Sequence, residues 1–242
     1  MTIRLGFNTR VSFPTGEAAR SLRAGRELFQ AAEALGYQSG WAYQRHFDNY
    51  LSSPLPFFAA AGQHTTRITL GSAVIPARYQ EPILLAEAAG TADLLTGGRL
   101  QLAFSSGTDI WDAVFGGVHT DARTEGQRRL AASVLPGTTP QLRAAYAAYD
   151  LDRRTHGPAA SRPRGALEPT LSADLPDGIV MSPVYHGEPG AVTEAVLADP
   201  GLSVADELVL FLPPAFGLAD NVRLLTDLAQ TVAPALGWTP AR

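Results

Sequence analysis

The sequence predicts an α/β protein, an incomplete TIM-like (β/α) barrel with mostly parallel strands. Three observations predict it. Short apolar, β-branched runs alternate with segments of helical periodicity through the first half of the chain. Proline opens several of the helical segments and glycine closes them. The alternation suits βαβ units and a parallel sheet, yet only about six good strands can be found where a closed barrel needs eight.

"IRLGFN" (3–8) is the first strand. "SLRAGRELFQAAEALGY" (21–37) is helical, with Leu22, Leu28, Ala31 and Leu35 on one face and Gly36 as C-cap. "SGWAYQRHF" (39–47) reads as a second strand running into a loop. "SPLPFFAAAGQHT" (53–65) is a helix with Ser53 at the N-cap and Pro54 at its first position. "RITLGSAVI" (67–75) is a buried strand. "EPILLAEAAGTADLLTG" (81–97) is a third helix and "RLQLAFSS" (99–106) a fourth strand. Residues 120–135 and 139–154 are helical, 155–178 form an irregular Pro/Gly/Arg-rich loop, and 178–182 a short strand. A helix (189–199), a strand (205–213) and an amphipathic helix (218–237) close a chain that reads as a single domain over 1–242.

Composition excludes whole classes of chemistry. The net charge of −4 gives no electrostatic case for nucleic acid or an anionic membrane. All 19 basic residues are arginine, which removes Schiff-base and P-loop lysine chemistry. Without cysteine there is no disulfide scaffold, thiolate metal site or thiol nucleophile. The opening residues lack a signal-peptide pattern and no apolar run approaches the ~18 residues of a membrane span, so a cytoplasmic location is expected. No GxGxxG follows the first strand, and no GxSxG elbow occurs. His119 and His156 have no partners at metal-ligand spacing, and His64 and His186 read as surface and loop residues, so no metal site is expected.

In parallel α/β barrels function collects at the C-terminal ends of the strands. That rule selects Asn8, His46, Ser72, Ala73, Ser105, Ser106, Gly107 and Thr108. Imidazole at position 46 suits proton transfer because its ordinary pKa lies near neutrality. Phe104 should alternate away from Ala103 and Ser105 and pack outward against helices, leaving small residues at the strand end.

Long collinear stretches carry a family resemblance. "RHFDNYLSSPLPFFAAAGQHTTRITLGSAVI", "EPILLAEAAGTADLLTGGRLQLAFSSG" and "VFGG" (114–117) followed by Arg123 resemble luciferase-like flavin monooxygenases, and the C-terminal "ADELVLFLPPAFGLADNVRLLTDLAQTVAPALGW" resembles the closing strand and helix of members from natural-product pathways. The resemblance implies reduced FMN supplied by a separate, transiently bound flavin reductase, a small organic substrate, proton handling by His46 near the flavin C4a position, and contact of Arg123 with the flavin phosphate. It places Ser72 and Ala73 where the family has a bulged, often non-prolyl cis peptide under the isoalloxazine, and it implies a homodimer through helices flanking strands one to four. Between Leu135 and Pro140 the family's fifth strand, its helix and its sixth strand are missing. Two alternatives therefore stay open: a cofactor-independent cyclase or isomerase, with no flavin at all, and a non-catalytic flavin-binding protein.

Overall fold

The structure is a computed structural model that describes residues 3–105, 107, 114–115, 185, 187–199, 201–202 and 205–242. Contacts divide the chain into one unit of Met1–Pro136 with Gly187–Arg242 and a second of Gly137–His186; all the helices and strands among the described residues belong to the first. Its elements run β1 (Arg4–Thr9), α1 (Ala18–Leu35), β2 (Ser39–Ala42), α2 (Pro54–Gly62), β3 (Thr69–Pro76), a 3₁₀ turn (Ala77–Tyr79), α3 (Pro82–Thr96) and β4 (Leu100–Ser105). They continue with α4 (Pro189–Leu197), β5 (Glu207–Phe211) and α5 (Leu218–Asp227), the last prolonged by π and 3₁₀ turns to Leu236.

The five strands form one sheet in the order β4-β3-β2-β1-β5, every neighbouring pair parallel. Among the described residues it does not close: β4 and β5 are its edges. This is the incomplete (β/α) barrel that the sequence predicts. The predicted helices at 120–135 and 139–154, the loop at 155–178 and the strand at 178–182 lie outside the described residues.

Alternation along each strand sends one set of side chains to the helices and the other to the concave face. Leu5 and Phe7 face the helices, where Phe7 meets Phe29 of α1 edge-on at 5.0 Å and Phe29 meets Phe57 and Phe58 of α2. The buried stripe of α1 is Gly25, Leu28, Phe29 and Ala32. Leu22, expected on that stripe, is exposed. The stripe centres on Phe29, the bulkiest apolar side chain, and Gly25 makes room for Val11. The second strand is shorter than 39–47: pairing with β3 stops at Ala42, so His46 lies in the following loop. Gly36 and Gly97 end α1 and α3 in the left-handed region, each donating its N–H to the last turn.

The N-terminal ends of the strands are tied by fully engaged polar groups. Glu33, near the end of α1, accepts from the backbone N–H groups of Thr66, Arg67 and Ile68 at 2.7–3.0 Å and from the Thr66 hydroxyl. Arg99 donates to Thr96 O, Thr65 Oγ1, Ile68 O, Gly62 O and Thr65 O. On the concave face Arg4 pairs with Glu207 at 2.8 Å, Ser39 donates to Glu207, and Trp41 Nε1–H donates to Ser39 Oγ at 2.8 Å. Gln38 Oε1 accepts from Leu5 N–H and from the indole of Trp238, which anchors the C-terminal segment beneath the sheet.

Candidate functional site

The C-terminal ends of the strands contrast with this. Six buried side-chain polar atoms among the described residues lack a hydrogen-bond partner: Asn8 Oδ1, Arg10 Nε, Arg26 Nε, Gln44 Oε1, His46 Nε2 and Asn221 Oδ1. All but Arg26 follow or end a strand at its C-terminal side, on β1, past β2, or in the first turn of the helix after β5. A buried donor or acceptor without a partner costs about 1–3 kcal/mol, so such groups concentrate where a ligand or ordered water completes them.

His46 is the most developed of these. Its ring meets Tyr79, from the turn after β3, edge-on at 5.6 Å, and Phe115 at 5.0 Å. Tyr79 and Phe115 stack at 4.5 Å, and Phe47 packs against Phe115 at 5.6 Å. Burial among these rings disfavours imidazolium and holds the His46 pKa below its ordinary value of 6.5. The imidazole is therefore neutral at neutral pH, and its unpartnered Nε2 can accept or pass a proton.

A wall of small residues lies beyond. The β3–β4 register passes from Ser72↔Leu102 to Ile75↔Phe104, so Ala73 and Val74 oppose Ala103 as two residues against one, a bulge at the place the family resemblance implies. The cis peptide bond is Ala73–Val74, one bond beyond Ser72–Ala73. Ser72 is fully buried; its Oγ accepts from Ala103 N–H at 3.0 Å and donates to the Ala103 carbonyl at 3.1 Å. Its hydroxyl is thus committed to the bulge, and only the backbone there is left for a ligand. Ala73, Ala103 and Ser105 are half-buried. Phe104 packs with Leu85, Ala89 and Ala92 of α3, on the helix side and off the concave face. Gly107 has φ +74°, and a Cβ there would meet Pro76 and Arg78 at 3.1 Å, so the chain turns closely over the end of β3. Asn8 is buried at the end of β1, in register with Trp41 and Phe211. The structure thus brings Asn8, Ala73, Ser105, Gly107 and His46 to one end of the sheet. Ser106, Thr108 and Arg123 lie outside the described residues.

Sequence reasoning missed the aromatic parts. Trp41 floors the concave face: it pairs in register with Gly71, whose missing side chain leaves room for the indole, since a Cβ there would fall 2.2 Å from it. A tryptophan and a glycine in adjacent predicted strands carried that signal, but only knowledge of the register reads it. Phe115 was noticed only within the "VFGG" of the family resemblance and Tyr79 carried no signal; only the fold brings the two rings together.

Residues 3–129, just over half of the chain, match the sequence model of the luciferase-like monooxygenases. The chain belongs to that family. It is 31% identical to 4-hydroxyprotoasukamycin monooxygenase of Streptomyces nodosus subsp. asukaensis over 84% of its own length and 56% of the relative's. It is 30% identical to the oxygenase component of the flavin-dependent trigonelline monooxygenase of Acinetobacter baylyi, over 42% of its length and 29% of the relative's. The chain thus spans from about a quarter to just over half the length of the curated relatives it matches. Among solved structures, the oxygenating constituent of 3,6-diketocamphane monooxygenase of Pseudomonas putida, a type II Baeyer-Villiger monooxygenase in complex with FMN, superposes with a TM-score of 0.50 at 18% identity, over 55% of this chain and 38% of that one. That likeness is one of fold.

Proposed function

We propose that the protein is a flavin-dependent monooxygenase of a biosynthetic pathway. It would oxidise a small organic substrate at the C-terminal end of its open sheet, with reduced FMN delivered by a separate, transient reductase. One observation carries this reading: the unpartnered buried polar atoms gather at that end, around a neutral histidine in an aromatic pocket. A curated relative named as the oxygenase component of a flavin-dependent monooxygenase supports the cofactor and the separate reductase, and the relative matched over most of this chain is also named a monooxygenase.

The residues present fit a flavin. Half-buried Ala73, Ala103 and Ser105 leave space for a planar ring, and Asn8 Oδ1 and His46 Nε2 offer acceptors to its polar edge or to substrate. Bound reduced flavin supplies electrons for oxygen activation. His46 holds or passes a proton at Nε2, while Tyr79 and Phe115 keep water from the imidazole. Trp41 closes the floor. Arg123 holds the phosphate, a role that suits a guanidinium fork. The reading treats the chain as one cytoplasmic domain; no helix among the described residues is long and apolar enough to cross a membrane.

The protein would act as a homodimer. Ile83, Leu84, Leu94 and Leu95 of α3 are each more than half exposed, an apolar load unusual for a helix facing water. Light scattering reads this directly, and a monomeric mass would count against it.

The test is an absorption spectrum of the purified chain, then titration with FMN in both redox states. Saturable binding of reduced FMN, weakened at least about tenfold in Arg123→Ala, with oxygen uptake once substrate is supplied, is expected. No binding in either state would overturn the flavin reading in favour of cofactor-independent chemistry. Tight binding without turnover would make the protein a flavin carrier.

A further inference from the structure

Arg10 stands apart from the other arginines of the sheet. Arg4 pairs with Glu207, Arg45 pairs with Asp48 at 3.0 Å, and Arg99 is bonded to five oxygens. Arg10 has no hydrogen bond or ion pair through its side chain among the described residues, and its Nε is buried without a partner. What holds it is aromatic. Its guanidinium carbon lies 5.8 Å from the Tyr43 ring centre, 5.5 Å from that of Tyr50 and 5.5 Å from that of Phe211. Rings at this distance stabilise the cation and fix its plane, but they leave its N–H groups without acceptors.

The backbone holds the residue as firmly. Arg10 directly follows β1, two residues past Asn8, which registers with Trp41 on one side and Phe211 on the other. The carbonyl of Arg10 accepts from Leu51 N–H. The next residue, Val11, has φ +47°, a conformation that a β-branched residue enters only at a cost. Among the described residues only one other non-glycine has positive φ, Phe47 at +50°, and it directly follows His46. Backbone cost of this kind persists where placement of a side chain matters, and here it marks His46 and Arg10 alike. Phe211 is half exposed on the edge strand β5.

We propose that Arg10, set between Tyr43, Tyr50 and Phe211, binds a carboxylate or comparable planar oxyanion of an aromatic substrate, and so selects acidic substrates for this site. A rigid fork of unpaired N–H groups matches two anionic oxygens on one planar group, and the half-exposed Phe211 ring offers a face for the substrate's own ring. The inference rests on the proposed placement of substrate at the C-terminal end of the sheet. An anion could reach Arg10 as substrate carboxylate or as flavin phosphate, and the test separates the two.

The whole chain is titrated, by quenching of tryptophan fluorescence, with benzoate, phenylacetate and cinnamate, and with the three corresponding amides. At least one acid should bind at least about tenfold more tightly than its amide. Arg10→Met should remove that preference while amide binding changes less than about twofold, and Arg10→Lys, which keeps charge but not the fork, should restore part of it. FMN affinity should be the same in Arg10→Met as in the native chain. If acids bind no better than amides in the native protein, including the case where none binds, the proposal is overturned, and no variant is needed to learn it. A preference that survives Arg10→Met overturns it as well. Loss of FMN in that variant would reassign the guanidinium to the phosphate. Failure of the native chain to bind FMN, with acid selectivity intact, would instead sink the flavin reading and leave the anion site standing.

Discussion

Replacing Arg99 should unfasten the underside of the sheet. The guanidinium has five N–H donors, and each meets its own acceptor at 2.7–3.0 Å: Thr96 O at the end of α3, Gly62 O at the end of α2, Thr65 O and Thr65 Oγ1 just beyond it, and Ile68 O at the entry to β3. One side chain thus ties two helix ends to two strand starts. A hydrogen bond to a charged group nets about 1.5–3 kcal/mol, but Arg99 is only half-buried and water can replace part of what is lost. Taking about 0.5–1 kcal/mol for each contact, Arg99→Ala should cost about 3 kcal/mol. For a chain of this size that lowers Tm by about 6–12 °C. Arg99→Lys keeps the charge, reaches at most some of the five acceptors, and should lose about half as much. Urea titration and thermal melting of native, Lys and Ala forms measure this. An Ala form within about 1 kcal/mol of native would refute the clamp. A Lys form equal to native would show that charge, not the fork, does the work.

The other predictions concern Glu33, His46 and Trp41. Burial alone would raise the Glu33 pKa, but the N–H groups of Ile68, Arg67 and Thr66 and the Thr66 hydroxyl outweigh it and hold it below 4.5. Its stabilisation is therefore present above the ordinary carboxylate value and lost as pH falls through the lowered one; Glu33→Gln should be less stable than native by about 1 kcal/mol at neutral pH, with Tm curves that converge in acid. His46 is shifted down by burial, so the unfolded chain takes up its proton first, and stability declines as pH falls from 6.5 towards the lowered value. His46→Gln should flatten that part of the Tm profile and slow oxygen-dependent turnover by about 10²-fold or more, a larger effect than on FMN affinity; unaltered turnover would remove His46 from the chemistry. In Gly71→Ala the new methyl collides with the Trp41 indole, so a loss of about 1–3 kcal/mol and a shifted tryptophan emission are expected, and neither would appear if Trp41 did not floor the concave face.

The order of elements was legible because it rests on local signals. Gly36 and Gly97 sit where the sequence placed helix ends, and Pro54 and Pro82 open α2 and α3. Boundaries that depend on pairing were less legible: β2 stops at Ala42 because its registered contacts with β1 and β3 stop there, a fact no single-strand pattern contains. His46 and Asn8 could be nominated from the rule about strand ends alone. Ser72 was nominated by the same rule, yet its hydroxyl is spent on the bulge, because a residue's place along a strand does not say which face it takes where the register slips. Arg99 was read only as the start of the fourth strand, with no hint of its five acceptors, since four of them come from Gly62, Thr65 and Ile68, some thirty residues earlier in the chain.

The two ends of the sheet divide the polar side chains by purpose. At the N-terminal end Glu33, Arg99, Gln38, Ser39 and Glu207 find partners within the fold, and each joins segments far apart in sequence. At the C-terminal end Asn8, Arg10, Gln44 and His46 are held by rings and backbone while polar atoms go without partners. Gln44 still donates to the Ser52 carbonyl at 2.7 Å, but filling the positions of Asn8 and His46 with apolar side chains of similar shape would cost the fold no hydrogen bond and would spare the desolvation of two polar groups. Substitutions such as Asn8→Leu and His46→Leu are therefore expected to hold or raise Tm while reducing ligand binding, the opposite of what Arg99→Ala does. A marked fall in Tm in both would mean that these groups serve the fold after all, and that the site must be sought elsewhere.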